Sequence, residues 1–122
     1  MKIEEYKRLL NKGSKYHSKK VTVDGIQFDS KKEANIYLEL KLLEKEGHIK
    51  DLKLQHKFEL QPGFKKNGKT YRPITYIADF VYLDFSSNKN IVIDVKGYKT
   101  EVYKLKKKMF EYVYPDLELK EV

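Results

Sequence analysis

The sequence IVIDVK at residues 91–96 constrains the fold of this chain more than any other segment. Its apolar, mostly β-branched residues predict a buried β-strand. Side chains along a strand alternate between two faces, so Asp94 and Lys96 should project from the same side. A carboxylate and an ammonium group at the end of an apolar strand are costly to bury unless they are paired or bind something. The segment therefore predicts a strand that ends in a candidate site.

Length and composition limit the class of protein. The chain has 122 residues, which suits one domain, and it contains no cysteine. The lack of cysteine excludes a disulfide scaffold and any thiolate metal site or nucleophile. Nothing resembles a signal peptide, and no apolar run approaches the roughly 18 residues of a membrane span. We therefore expect a soluble cytoplasmic protein without a membrane partner.

The charge balance favours a polyanionic partner. The formal net charge is +8, and lysine supplies nearly all of the positive charge. Such a balance favours nucleic acid, because cationic side chains neutralise phosphates and release counterions. The alternative is that the charge only keeps the protein soluble.

The chain is predicted to divide into an N-terminal segment, residues 1–19, and a domain over residues 20–122. The N-terminal segment combines a short helical pattern with a polar stretch. The domain should open with a β-hairpin over residues 20–28, because Asp24 and Gly25 lie between alternating apolar residues. We expect this hairpin to precede the main sheet.

Helical and strand patterns follow one another through the rest of the domain. A helix should run from the N-cap Ser30 to about Glu46. A second helix should begin after the N-cap Thr100 and end near Tyr114, where Pro115 stops it. The predicted strands are residues 49–60, 74–85, 91–96 and 117–122, with residues 61–73 as the longest irregular loop. The order α-β-β-β-α-β predicts an α/β fold, a mixed β-sheet core flanked by helices.

Two aspartates define the candidate metal site. If residues 74–85 and 91–96 form a hairpin about Ser86 and Ser87, Asp79 lies directly opposite Asp94. Two carboxylates that close repel each other unless a proton or a cation lies between them. A hard divalent cation such as Mg²⁺, bound by carboxylate oxygens and water, suits this pair. The alternative is that one of the two aspartates faces solvent at a strand end.

Lys96 and Glu33 are the other candidate members of this site. Lys96 would position or help deprotonate an attacking water, or neutralise charge on a phosphate. Without the two acids beside it, Lys96 would be interpreted as a strand-end lysine that extends to solvent. Glu33 begins the inward stripe of the first helix and could be a third metal ligand. It also completes a capping box with Ser30, and the two roles are compatible.

Four further residues are candidates for phosphate binding. Lys99 and Thr100 lie at the entrance of the second helix, where main-chain N–H groups favour anions. The helical spacing places Lys106 on the inward face of that helix, and the role of Gln55 is ambiguous. The predicted buried seam around Lys106 consists of Val102, Leu105, Met109 and Val113. No glycine-rich phosphate loop, serine triad or zinc pattern is present, so no organic cofactor is expected.

These residues occur in the order of a known superfamily. Glu33, Asp79 and then Asp94-Val95-Lys96 resemble the helix acid, strand acid and acid-x-lysine of the PD-(D/E)xK nucleases. The chain also resembles small phage junction-resolving endonucleases, and uncharacterised phage proteins that share its Tyr-Ile-Ala-Asp-Phe and Asp-Val-Lys-Gly stretches. It departs from the superfamily pattern at Ala78, where proline is usual, and at Asp94, where glutamate is more frequent.

The resemblance implies a restriction-endonuclease-like fold and Mg²⁺-dependent hydrolysis of DNA phosphodiesters, with Mn²⁺ as a substitute. It implies Glu33, Asp79 and Asp94 as metal ligands and Lys96 as the catalytic lysine. Branched DNA such as a Holliday junction is the expected substrate, cut by a homodimer of phage or prophage origin. Two alternatives stay open: a nuclease that cuts ordinary duplex, and a non-catalytic basic DNA-binding or accessory protein of phage replication or packaging.

Overall fold

The computed structural model describes residues 20–95 and 99–122. The chain divides into two compact units, Met1–Ile49 and Lys50–Val122, and each is described by itself. The N-terminal helix and polar segment predicted for residues 1–19 lie outside the described residues. None of the helices in the described ranges is long and apolar enough to cross a membrane.

The helices and strands follow the predicted order, with one addition. The first unit contains β1 (Val21–Val23), β2 (Ile26–Phe28) and α1 (Lys31–Lys45). The strands that follow are β3 (Ile49–Gln61), β4 (Phe64–Lys66), β5 (Lys69–Tyr71), β6 (Ile74–Asp84) and β7 (Lys89–Asp94). The chain ends with α2 (Glu101–Val113) and β8 (Glu118–Glu121). The added elements are β4 and β5.

The β1–β2 hairpin confirms the Asp-Gly turn. Val23 pairs with Ile26, and the two turn residues Asp24 and Gly25 have φ angles of 53° and 75°. Two successive positive φ angles define the tight hairpin turn that aspartate and glycine favour. The hairpin is tied to the helix that follows, because Tyr37 donates a hydrogen bond to the Asp24 carboxylate at 3.0 Å.

Helix α1 begins and ends where its caps predict. The Ser30 side chain accepts a hydrogen bond from the main-chain N–H of Glu33 at 3.1 Å, which satisfies one of the free donors of the first turn. Gly47, with φ of 82°, follows the C-cap Glu46. The buried residues of the helix are Glu33, Ala34, Tyr37, Leu38 and Leu40.

The second unit is built on a four-stranded mixed sheet, which confirms the α/β class. The strand order is β3-β6-β7-β8. Strands β6 and β7 pair antiparallel, whereas β7 and β8 are parallel and connected through α2. A parallel connection needs such a crossover, since a tight turn can only join antiparallel strands.

Aromatic side chains fill the core between α2 and the sheet. The Phe58 ring on β3 lies 5.1 Å from that of Phe110 on α2, and edge to face with it. Tyr76 on β6 approaches the same Phe110 ring at 5.5 Å. Edge-to-face pairs are favourable beyond the area that they bury. This cluster fixes α2 against the strands that carry Asp79 and Asp94.

The loop predicted for residues 61–73 is wrong, because this segment forms the β4–β5 hairpin. Phe64 pairs with Tyr71, and their rings stack at 4.7 Å. The turn residues Asn67 and Gly68 have φ angles of 52° and 74°. An Asn-Gly turn strongly favours a hairpin. Residues 61–73 nevertheless do not show the alternation of apolar and polar residues that marks a half-buried hairpin, and the sequence therefore predicted a loop.

The seam predicted for α2 is also wrong. Val102 and Leu105 are 63% and 59% exposed, whereas Tyr103 and Phe110 are the buried residues of the helix. The aromatic residues bury more apolar area than the aliphatic ones, and so they set the rotation of the helix. Lys106 therefore lies beside the buried face and not within an aliphatic seam.

Candidate functional site

The β6–β7 ladder has the predicted register. Its five pairs run from Asp84 with Lys89 to Phe80 with Ile93. Asp79 and Asp94 are the next residues on their strands beyond the last pair. The register inferred from the hairpin turn therefore places these two acids together at one end of the ladder.

The Asp79 carboxylate connects three segments. Its Oδ2 accepts a hydrogen bond from the main-chain N–H of Val95 at 2.7 Å, and its Oδ1 accepts one from the Gln55 side-chain amide at 3.1 Å. An ionised carboxylate offers about four acceptor positions. Two hydrogen bonds thus orient the group and leave it with capacity for a further ligand.

Gln55 has an unusual backbone conformation. Its φ is 50°, in the left-handed region, although it lies inside β3. A residue with a side chain disfavours this region, and within a strand it marks a local irregularity that redirects the side chain. The side chain is directed to Asp79. Gln55 was predicted to bind phosphate, and the contact in the structure is with an acid of the candidate site.

The Asp94 carboxylate is bound by a buried tyrosine. Asp94 is 1% exposed and Tyr76 is 3% exposed. The Tyr76 hydroxyl donates a hydrogen bond to Oδ2 of Asp94. Burial, followed by the bond to this carboxylate, raises the pKa of Tyr76 above its ordinary value, so the hydroxyl stays a donor. Sequence reasoning missed Tyr76.

A third acid, Glu121 on β8, lies beside Asp94 in the parallel register. Its two carboxylate oxygens accept hydrogen bonds from Lys107 at 2.7 Å and from the Tyr103 hydroxyl at 2.8 Å. These two bonds, that of Lys107 first, lower the pKa of Glu121 to about 2. The carboxylate is therefore ionised at neutral pH and neutralised by a lysine. Sequence reasoning also missed Glu121 and Tyr103, since a short, polar last strand carries no signal for such a pair.

Three of the four predicted phosphate-binding residues lie near Glu121 and Tyr103. Lys99, whose side chain is 52% exposed, lies 3.5 Å from Glu121. The Thr100 hydroxyl accepts a hydrogen bond from the N–H of Tyr103 at 3.0 Å, which confirms it as the N-cap of α2. Lys106 borders a cleft of about 280 Å³ that Thr100 and Tyr103 also line. The three predicted residues are thus near one another at the start of α2.

The structure does not test the predicted roles of Lys96 and Glu33. Lys96 lies outside the described residues, and so do Gly97 and Tyr98. Glu33 lies in the first unit, in the first turn of α1, and is 6% exposed. Among residues 20–95 and 99–122, no three His, Cys, Asp or Glu side chains form a group that could hold a metal ion. The participation of Glu33 and Lys96 stays a prediction.

Comparison with known proteins gives one family. The model of a family described as "Protein of unknown function (DUF1064)" matches residues 13–122. The chain belongs to the DUF1064 family. The match includes every candidate residue of the site, from Glu33 to Lys106. Neither a curated protein nor a solved structure matches the chain.

Proposed function

We propose that this DUF1064 protein is a metal-dependent endonuclease that hydrolyses DNA phosphodiester bonds. The observation that carries the proposal is the position of Asp79 and Asp94 at the end of one antiparallel ladder. Lys96 follows Asp94 by two residues, as in the acid-x-lysine order of the PD-(D/E)xK nucleases, which the sequence resembles. The restriction-endonuclease-like variant of the α/β fold is part of the same proposal.

Asp79 and Asp94 would bind Mg²⁺, or Mn²⁺ in its place, with Glu33 as a third ligand. Magnesium in phosphoryl-transfer sites is commonly bound by one or two carboxylates, several waters and the substrate phosphate. Asp79 is partly exposed and Asp94 is buried, so the pair offers one accessible and one sheltered carboxylate. When bound, the ion would supply Lewis-acid charge neutralisation at the phosphate and lower the pKa of a bound water.

The protein's own side chains would position the reactants. Tyr76 orients Asp94, and Gln55 orients Asp79, through the hydrogen bonds described above. Lys96 would hold or deprotonate the attacking water, or neutralise the charge that develops on the phosphate. Lys99, Thr100 and Lys106 would bind phosphates of the flanking DNA, whereas Gln55 is engaged with Asp79.

Branched or otherwise structured DNA, such as a Holliday junction, is the proposed substrate. The support is the resemblance to junction-resolving endonucleases together with the net charge of +8, which favours contacts to phosphates over contacts to bases. Symmetric cleavage of a junction requires two active sites, and so we propose a homodimer. A phage or prophage gene acting in the bacterial cytoplasm fits the same resemblance.

The alternative function is a non-catalytic DNA-binding or accessory protein of phage replication or packaging. The net charge of +8 supports it equally well, since charge alone suffices for nonspecific binding. The two functions differ in their dependence on the acids. A binding protein would keep its function in Asp94→Asn, whereas the nuclease would lose cleavage and retain binding.

The deciding experiment compares linear duplex, flap and four-way junction of equal length, each with Mg²⁺ or with EDTA. The nuclease proposal expects Mg²⁺-dependent cuts, fastest on the junction, and none with Asp94→Asn or Lys96→Ala. Equal cleavage of all three DNAs would indicate a nuclease for ordinary duplex. Binding without cleavage by the folded wild type would favour the alternative function.

A further inference from the structure

The β4–β5 hairpin forms a basic surface in the second unit. Residues 61–73 contain four cationic side chains and no acid. The four are Lys65, Lys66, Lys69 and Arg72, and all are exposed. Within the described ranges, none of them forms an ion pair with a carboxylate. Their charge is therefore directed at solvent or at a partner.

The hairpin has a defined shape. The Phe64 and Tyr71 rings stack at 4.7 Å with their planes 11° apart, across the pair that opens the ladder. At its base, a Cβ on Gly63 would lie only 3.1 Å from both the Pro73 ring and the Tyr71 carbonyl oxygen. The two segments at the base of the hairpin can thus approach closely because residue 63 has no side chain. A surface that is ordered before binding loses less entropy when it binds.

The hairpin lies at the same end of the sheet as the acids. It connects β3 to β6, and β6 begins at Ile74, five residues before Asp79. Strand β7 ends at Asp94, which with Asp79 lies one residue beyond the last pair Phe80–Ile93, whereas its start at Lys89 pairs with Asp84 at the far end. At about 3.3 Å per residue, the ten steps along the chain from Lys69, beside the hairpin turn, to Asp79 span at most roughly 33 Å. This reach is shorter than one turn of duplex DNA, about 34 Å.

We propose that the β4–β5 hairpin is a DNA-binding arm that contacts phosphates of a duplex within one helical turn of the candidate site. The inference deepens the proposed function, since the arm would bind the same DNA that the site cleaves. A two-stranded ribbon fits the major groove, and cations on both faces of the ribbon meet phosphates on either side. Duplex is favoured over single strands because the two rings cover each other, which leaves less surface for base stacking.

The test measures binding and not cleavage. A fluorescein-labelled 25-base-pair duplex is titrated in EDTA across a range of salt concentrations, with fluorescence anisotropy as the readout. The arm variant is Lys65→Gln, Lys66→Gln, Lys69→Gln and Arg72→Gln together. The control variant removes the same charge from the two helices, by Lys41→Gln, Lys45→Gln, Lys104→Gln and Lys108→Gln. Matched melting temperatures confirm that both variants are folded.

The wild type should show a steep fall of log affinity with log salt, and the arm variant a slope smaller by roughly three to four, since each phosphate contact contributes about 0.9. The control variant should change the slope by less than one. Equal slopes for the two variants would overturn the proposal, as would tighter binding of single strands that depends on the arm. Because EDTA prevents metal-dependent cleavage, this result is separate from that of the nuclease assay.

Discussion

The hydroxyl of Tyr76 on β6 donates a hydrogen bond to the carboxylate of Asp94 on β7, and both side chains are buried. A buried carboxylate without a donor would carry a large desolvation penalty. The tyrosine reduces that penalty without adding a positive charge of its own. The contact therefore supports both the stability of the sheet and the orientation of a candidate metal ligand.

The Tyr76→Phe substitution tests this contact. It removes the donor while keeping the ring in the aromatic core, so the free energy of unfolding should fall by about 1.5 to 3 kcal/mol, as for other hydrogen bonds to charged groups. Urea unfolding followed by circular dichroism measures the change.

The matched control is Tyr82→Phe on the same strand. Tyr82 is partly buried, and its hydroxyl forms no hydrogen bond among the described residues. Its loss should cost less than about 1 kcal/mol. Equal losses from the two substitutions would show that the bond to Asp94 does not contribute.

The left-handed backbone at Gln55 predicts that glycine and alanine substitutions there have the reverse of their usual order of stability. In an ordinary strand position glycine is less stable than alanine. At Gln55, where φ is 50°, Gln55→Gly should be more stable than Gln55→Ala by about 1 kcal/mol, because the left-handed region penalises a side chain by that amount or more. Both substitutions remove the amide that binds Asp79, so the comparison isolates the backbone.

Lys57, an exposed residue two positions along β3, is the control for this order. There Lys57→Gly should be less stable than Lys57→Ala. Thermal unfolding of the four variants is the measurement, and the same order at both positions would contradict the assigned conformation.

The depressed pKa of Glu121 predicts a pH dependence. In the unfolded chain the carboxylate has its ordinary pKa of 4.5, whereas in the fold it is about 2. The stabilisation is therefore present above pH 4.5 and is lost as the pH falls towards 2. We expect it to amount to about 1 to 2 kcal/mol, less than the shift alone implies because a partly exposed ion pair is screened.

Glu121→Gln should lower stability at pH 7 and flatten the stability curve between pH 4.5 and 2. Glu111→Gln, an exposed acid on α2, removes the same charge away from this network and should leave the curve unchanged. The measurement is the free energy of unfolding by denaturant, at a series of pH values, for the wild type and both variants. A variant curve parallel to that of the wild type would show that the Lys107–Glu121 pair contributes nothing.

Local signals predicted most of the fold. The Asp24-Gly25 turn and the caps Ser30 and Thr100 act over three or four residues, and each occurs where the sequence indicates. The turn around Ser86 also fixed the register of β6 and β7, because the side-chain period of two allows few alternatives. The adjacency of Asp79 and Asp94 followed from that register.

Features that depend on tertiary packing were not predictable in this way. The rotation of α2 follows the aromatic residues Tyr103 and Phe110, which only the neighbouring sheet identifies as buried. The positive φ of Gln55 has no local sequence signal, because glutamine is not a residue type that favours this region. Glu121 lies beside Asp94 because a crossover connection makes β8 parallel to β7. A polar strand of four residues carries no sequence signal that identifies its neighbouring strand.

Binding of Mn²⁺ to the free protein, followed by electron paramagnetic resonance, tests most directly whether Asp79 and Asp94 share a cation. The wild type should bind the ion with a saturable isotherm, and Asp79→Asn and Asp94→Asn should each weaken binding at least tenfold while remaining folded. Glu111→Gln should bind like the wild type. An identical isotherm for the wild type and both aspartate variants, or no saturable binding at all, would contradict the metal site.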